Sequence, residues 1–263
     1  MSNLKNIKIY VVSHNEEDIK RTISSDIYTP LFVGRNGKNN LGFLSDDQGD
    51  NISAKNPSYC ELTGLYWMWK QSDADIIGLC HYRRYFVNKN NNLLEKEEIE
   101  SILNEYDLII PEFGKSLLGS VYNDYDNEHH IKDLDTCRDI ISKLSPEFLE
   151  SYDKVIYGDK LCHYNMFIAK KDTISDYCEW VFPILFELEK MINAEDYDDY
   201  RKRVYGFLTE RLFNVWFTHR NLKVKETKVK LIGRMLNFKM FFYKRPLLRW
   251  GYVHIYKPYF KDK

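Results

Sequence analysis

Four groups of residues have the types and spacing to do chemistry. The densest is His81-Tyr82-Arg83-Arg84-Tyr85. It follows Asp75-Ile76-Ile77-Gly78-Leu79-Cys80, a nearly continuous apolar run of the kind a central parallel strand requires. Ligands of open α/β sheets bind beyond the carboxyl ends of the strands. Guanidinium groups match phosphate oxygens bidentately. His81, Arg83 and Arg84 are therefore a candidate grip on a diphosphate, against the plainer reading of a basic surface turn. The second group is Gly49-Asp50-Asn51-Ile52-Ser53 with Lys55 and Asn56. Asp50 and Asn51 in a Gly-led loop have the groups to bind a ribose or a base edge. The same residue types are ordinary turn formers.

The third group runs from Tyr122-Asn123-Asp124-Tyr125 through Glu128-His129-His130 to Asp133. Adjacent histidines beside carboxylates can ligate a metal, but a third ligand at a diagnostic spacing is missing. A loop that holds an acceptor sugar is the stronger reading. The fourth is Gly206-Phe207-Leu208-Thr209-Glu210-Arg211-Leu212. A carboxylate among Phe207, Leu208, Leu212 and Phe213 has either a raised pKa suited to a base or an ion pair with a neighbouring arginine. Several chemistries are excluded. There is no GxGxxG after the first strand and no GxxxxGK[ST]. No GxSxG elbow occurs. No Asp-x-Asp ends the 75–80 strand, and the pairs Asp124/Asp126 and Asp133/Asp135 fall in or before helical segments.

The elements that must position these groups alternate along the chain. Residues 7–13 read as a buried strand, followed by a helix that Asn15 caps. Residues 31–34 read as a strand ending at Gly34, and 35–55 as a long loop. A helix over 59–70 places Leu62, Leu65, Tyr66 and Trp69 on one face. Strands follow at 75–80, at 107–110 (stopped by Pro111) and at 164–169. Helices are expected at 95–105, 133–144, 146–157, 172–192 (with Asp172 as cap) and 205–217. This alternation predicts an α/β fold with a mostly parallel central sheet flanked by helices.

Composition sets the outer limits. The chain has 263 residues, 44% hydrophobic, with a net charge of −1, so it can bury a core and is no disordered polyanion. The five cysteines form no CxxC pair, which argues against a disulfide framework or zinc cluster. The N-terminus lacks an apolar leader and no run of 18 apolar residues exists, so a cytoplasmic location is expected. Residues 223–263 carry 12 Lys and Arg against Glu226 and Asp262, a balance of +10 on a body of −11. The expected organisation is one domain over 1–222 and a basic, aromatic extension over 223–263. Such an extension, with Phe241, Phe242, Lys244, Arg245 and Trp250, suits the anionic surface of a membrane. No nucleic-acid motif is present, and the acidic body argues against a nucleic-acid partner.

Three strings carry a resemblance: Gly49-Asp50-Asn51-Ile52-Ser53, Asn56-Pro57-Ser58-Tyr59-Cys60-Glu61-Leu62-Thr63-Gly64-Leu65-Tyr66-Trp67 and Ile77-Gly78-Leu79-Cys80-His81-Tyr82-Arg83-Arg84-Tyr85-Phe86. It continues through residues 129–135, 164–168, 177–180 and 203–212. The chain resembles a bacterial family of capsular-polysaccharide and O-antigen proteins, first catalogued as a domain of unknown function. That family was later grouped with glycosyltransferases of GT-A fold, some of which transfer galactofuranose. The resemblance implies transfer of a sugar from a UDP-sugar to a lipid-linked glycan at the inner face of the plasma membrane. An inverting mechanism is expected, with Glu210 as general base and Asp133 as its rival. The donor would lie on His81, Arg83, Arg84, Asp50, Asn51, Lys55 and Asn56. The acceptor would lie on Tyr125, His129, Asn165 and Arg211. Because His81, Arg83 and Arg84 stand where related folds place Asp-x-Asp, side-chain cations are expected in place of a metal. A retaining, Mn²⁺- or Mg²⁺-dependent transferase is the alternative, and a non-catalytic glycan-binding or assembly protein is another.

Overall fold

The computed structural model describes residues 5–39 and 41–232. The chain opens with β1 (Ile7–Ser13), α1 (Glu16–Ile19), β2 (Tyr28–Phe32) and β3 (Leu44–Ser45). Asn15 caps α1 as expected, its side-chain oxygen accepting from Asp18 N at 2.8 Å. Then come α2 (Asn56–Tyr59), α3 (Leu62–Gln71), β4 (Ile76–His81), β5 (Arg84–Phe86), α4 (Lys96–Glu105), β6 (Leu108–Pro111) and β7 (Gly114–Lys115). The helical hairpins α5 (Val121–Glu128), α6 (Ile131–Leu144) and α7 (Leu149–Ile156) follow. The described chain closes with β8 (Lys160–Leu161), β9 (Phe167–Lys170), α8 (Lys171–Met191), α9 (Val204–His219), β10 (Val224–Thr227) and β11 (Val229–Leu231).

The main sheet has the order β10-β6-β9-β4-β1-β2-β3, with β5 and β11 attached beside β4. Its strands run parallel except for β9 and the β5 ribbon. The fold is thus mixed α/β with a mostly parallel sheet between helices. Alternation along β1 shows both faces covered: Tyr10 and Val12 join the larger core, while Ile9 and Val11 are buried on the other side. The larger core is built by α3, α6, α8 and α9, and its aromatic packing explains much of the high aromatic content. Tyr177, Phe213 and Trp216, for example, meet with centroids 5.0–5.9 Å apart.

Three local readings change. β9 runs antiparallel to both neighbours, so its start, not its end, lies beside the end of β4. The cap of α8 is Lys170, with Asp172 inside the first turn. The 35–55 stretch is organised by buried Asp46, whose carboxylate accepts from Gly34 N, Arg35 N and Ser53 Oγ at 2.8, 3.3 and 2.5 Å. The sheet also continues beyond residue 222: β10 pairs with β6, and β11 pairs with β5. Compact packing of the first unit extends to Leu231. The aromatic segment around residues 241–250 lies outside the described residues.

Candidate functional site

The turn from β4 to β5 is two residues long, and His81 pairs with Arg84 across it. Directly opposed residues of an antiparallel pair share a face. His81 and Arg84 therefore act on one side, and both reach Tyr164. The His81 Nε2 donates to Tyr164 O at 2.7 Å, and the Arg84 guanidinium lies 4.5 Å from the Tyr164 ring centre. Since a carbonyl only accepts, Nε2 carries the proton. Burial, with help from Arg84, lowers the His81 pKa against the opposing pull of Glu61 and Glu210. His81 is thus a neutral brace, and Arg84 is the cation of the pair. Arg83 occupies the turn itself, where its guanidinium stacks on Tyr82 at 4.4 Å. The two arginines read together in the sequence are divided by the hairpin.

Tyr164 and Asn165 enter β9 with φ of 81° and 51°. Left-handed backbone costs a non-glycine residue on the order of 1–3 kcal/mol, so surrounding bonds must hold it. Glu210 on α9 does so, accepting from Tyr164 N at 2.8 Å. Asn165 Nδ2 donates to Glu61 Oε1 at 2.7 Å and to Gly206 O at 3.2 Å. Glu61 follows Cys60, another left-handed residue (φ 53°), whose Sγ receives Arg203 Nε at 3.3 Å. Strained residues thus gather where β4 ends, β9 begins and α2 meets α3.

Glu210 is half-buried and faces several donors. Besides Tyr164 N, Arg211 Nη1 lies 3.1 Å and His163 Nδ1 3.8 Å from its Oε2. Burial alone would raise its pKa, but His163, Arg211 and the Tyr164 amide together pull it down to about 2. The sequence left a raised pKa and an ion pair as equal alternatives for this carboxylate. Of the two alternatives, the ion pair is the one realised. Asp133 has different surroundings. It is 2% exposed and accepts from Tyr197 OH at 2.7 Å; burial raises its pKa and that hydrogen bond opposes the rise.

Tyr125, His129 and Arg211 do meet. The rings of Tyr125 and His129 are 4.6 Å apart, and Arg211 lies 5.0 Å from the Tyr125 ring. The Phe207 ring packs against His129 in a tilted pair, centroids 4.2 Å apart. Tyr125 Oη, His129 Nδ1, Arg211 Nε and Asn165 Oδ1 are all buried without a protein partner. Buried polar atoms are seldom left unsatisfied, so these four have capacity for a bound hydroxyl or water. Asp50, Asn51, Lys55 and Asn56 lead elsewhere. Asp50 accepts from Tyr66 OH at 3.1 Å, Asn51 bonds Gly49 O and Ser53 N, and Lys55 pairs with Glu189 at 2.5 Å. Asn56 Nδ2 donates to Cys60 O and Thr63 Oγ1, which fixes the α2–α3 corner. Asp124, Asp126, Asp133 and Asp135 lie in α5 and α6. Among the described residues no three His, Cys, Asp or Glu side chains form a metal-ligand set. Glu61, His163 and Arg203 were missed from sequence, because a turn and a helix start bring them together across more than 140 residues.

Residues 8–221 match a family described as Domain of unknown function (DUF4422). The chain is also similar to the solved apo structure of WbbM, a bifunctional glycosyltransferase. The TM-score is 0.77 and the identity 31%, covering 87% of this chain and 46% of that one. The chain thus spans less than half the length of that relative. No curated protein matches it.

Proposed function

The chain belongs to the DUF4422 family, and from that premise we propose that it is a glycosyltransferase using a nucleoside-diphosphate sugar. The observation that carries this is the placement of Arg84 just past the carboxyl end of β4, opposite His81 and against Tyr164, whose amide Glu210 holds, in a chain similar in fold to a glycosyltransferase. In this reading Arg84 and Arg203, with Arg83 from the turn, neutralise the diphosphate as it departs. Tyr125, His129, Asn165 and Arg211 offer their unpartnered polar atoms to the acceptor. Glu210 and Asp133 remain the site's candidate catalytic carboxylates, Glu210 through its ionised contacts and Asp133 through burial. The resemblance supports a UDP-sugar donor, galactofuranose among the candidates, and a lipid-linked glycan of capsule or O-antigen type. It supports an inverting outcome as well. Side-chain cations in place of a divalent metal belong to the same reading, and activity with and without EDTA tests it.

Calorimetric titration with UDP, GDP and dTDP sugars tests the donor assignment. Arg84→Ala removes a charge-assisted bond worth about 1.5–3 kcal/mol, so affinity should fall about tenfold or more. Arg83→Ala should cost less, since its guanidinium is stacked on Tyr82. Unchanged affinity in the double variant would falsify the assignment.

A further inference from the structure

Glu210 meets a second imidazole that sequence reading left aside. His163 is the residue before the strained Tyr164–Asn165 turn, and its side chain is 42% exposed. Its Nδ1 faces Glu210 Oε2 at 3.8 Å, which leaves Nε2 as the atom turned from the carboxylate. The Cδ2–Nε2 edge of the ring packs against β7 at Gly114. A Cβ there would stand 3.0 Å from His163 Cδ2 and 3.1 Å from Nε2. The ring is therefore held between a carboxylate and a bare backbone, an arrangement that orients an imidazole for proton transfer. Its charged partner Glu210 of α9 also meets Arg211, and Glu226 of β10 accepts from Phe113 N, next to Gly114, at 3.1 Å. Lys115 of β7 pairs with Asp159, and Lys160 lies on β8.

We infer that His163 is the general base of the transfer, positioned by Glu210 and seated on Gly114. The inference rests on the glycosyltransferase reading. His163 Nε2 takes the proton of the acceptor hydroxyl. The freed oxygen pair forms the new bond to the anomeric carbon, and the bond to the diphosphate breaks with its electron pair passing to the phosphate oxygen. The imidazolium, steadied by Glu210, then releases its proton to water. This gives Glu210 a positioning role that suits a carboxylate kept ionised.

The test measures release of nucleoside diphosphate from UDP, GDP and dTDP hexoses, with octyl glycosides or water as acceptor, together with nucleotide affinity by calorimetry. His163→Ala and His163→Gln should lower turnover by about 10²–10⁴-fold while nucleotide affinity stays unchanged. Added imidazole should restore part of the turnover of His163→Ala. Gly114→Ala, which displaces the ring without removing it, should lower turnover at constant affinity and keeps the test open if His163→Ala does not fold. Full turnover in both His163 variants, or no response of His163→Ala to added imidazole, overturns His163 as base and leaves the transferase reading standing. A wild-type chain that binds and turns over none of the donors overturns both.

Discussion

His129 and Glu210 both feel Arg211 and make opposite use of it. The guanidinium helps to hold Glu210 ionised, and it adds to burial in pushing the His129 pKa down to about 3 from the usual 6.5. A histidine whose folded pKa is depressed stays neutral in the fold while the unfolded chain takes up a proton. Its contribution is thus fully present above pH 6.5 and is lost as pH falls toward 3. One such proton gives a slope of about 1.4 kcal/mol per pH unit. We expect His129→Phe, which keeps a ring against Phe207 and Tyr125, to flatten the acid limb of stability in that window. Urea unfolding at a series of pH values measures it, and an unaltered slope counts against a neutral buried imidazole. The contact with Arg211 was legible only as a string position; that the two share one pocket depends on α5 ending against α9.

At the scale of elements, α3 is the support on which the strand ends rest. Its Gly64 faces β1 and β2 so closely that an added Cβ would stand 2.9 Å from Val33 Cγ1, 3.1 Å from Val12 Cγ1 and 3.3 Å from Leu31 Cδ2. These are three branched side chains of a packed core, with little freedom to yield. Gly64→Ala would gain helix propensity of about 1 kcal/mol, yet overpacking of about 1–3 kcal/mol works against it. We expect net destabilisation, seen as a lower midpoint in urea at unchanged slope; a raised midpoint would show that the sheet gives way. The helix itself was readable from Leu62, Leu65 and Tyr66, and the structure begins it three residues later than the expected start at 59. Cys60 explains the difference. Its left-handed backbone breaks the chain between α2 and α3, and no side-chain pattern announces that break.

For the whole molecule, the decisive addition is the return of the chain to the sheet after α9. β10 covers the edge of β6, with Val224 opposite Leu108 and Thr227 opposite Pro111. A chain ending at residue 222 would expose that edge and is expected to unfold at lower temperature or aggregate. A chain ending at residue 232 should keep both its thermal transition and its nucleotide affinity. Equal behaviour of the two truncations in calorimetry would show that β10 adds nothing. The same longer truncation separates the fold from the proposed membrane contact. Full-length chain should float with anionic vesicles and detach as salt rises, and the chain ending at 232 should not float. Among the described residues no helix is long and apolar enough to cross a membrane.

The alternation of apolar strands with amphipathic helices determined the α/β class and most element positions, because periodicity is local and each face must be buried. β1, β4, β6 and the long helices followed from it. The direction of β9 did not, since the run Met166-Phe167-Ile168-Ala169 is equally apolar either way round. β10 was hidden for a related reason: Val224-Lys225-Glu226-Thr227 is an edge strand with one covered face, and its charges read as part of a basic extension. In the site, Arg84 and Glu210 were visible as residue types in suggestive strings. Only the tertiary structure decided that Arg83 lies on Tyr82 and Arg84 on Tyr164, that Glu210 faces several donors, and that His163 joins it. Burial, ion pairing and hydrogen bonding are properties of neighbours in space, and 46 residues separate Tyr164 from the carboxylate that holds it.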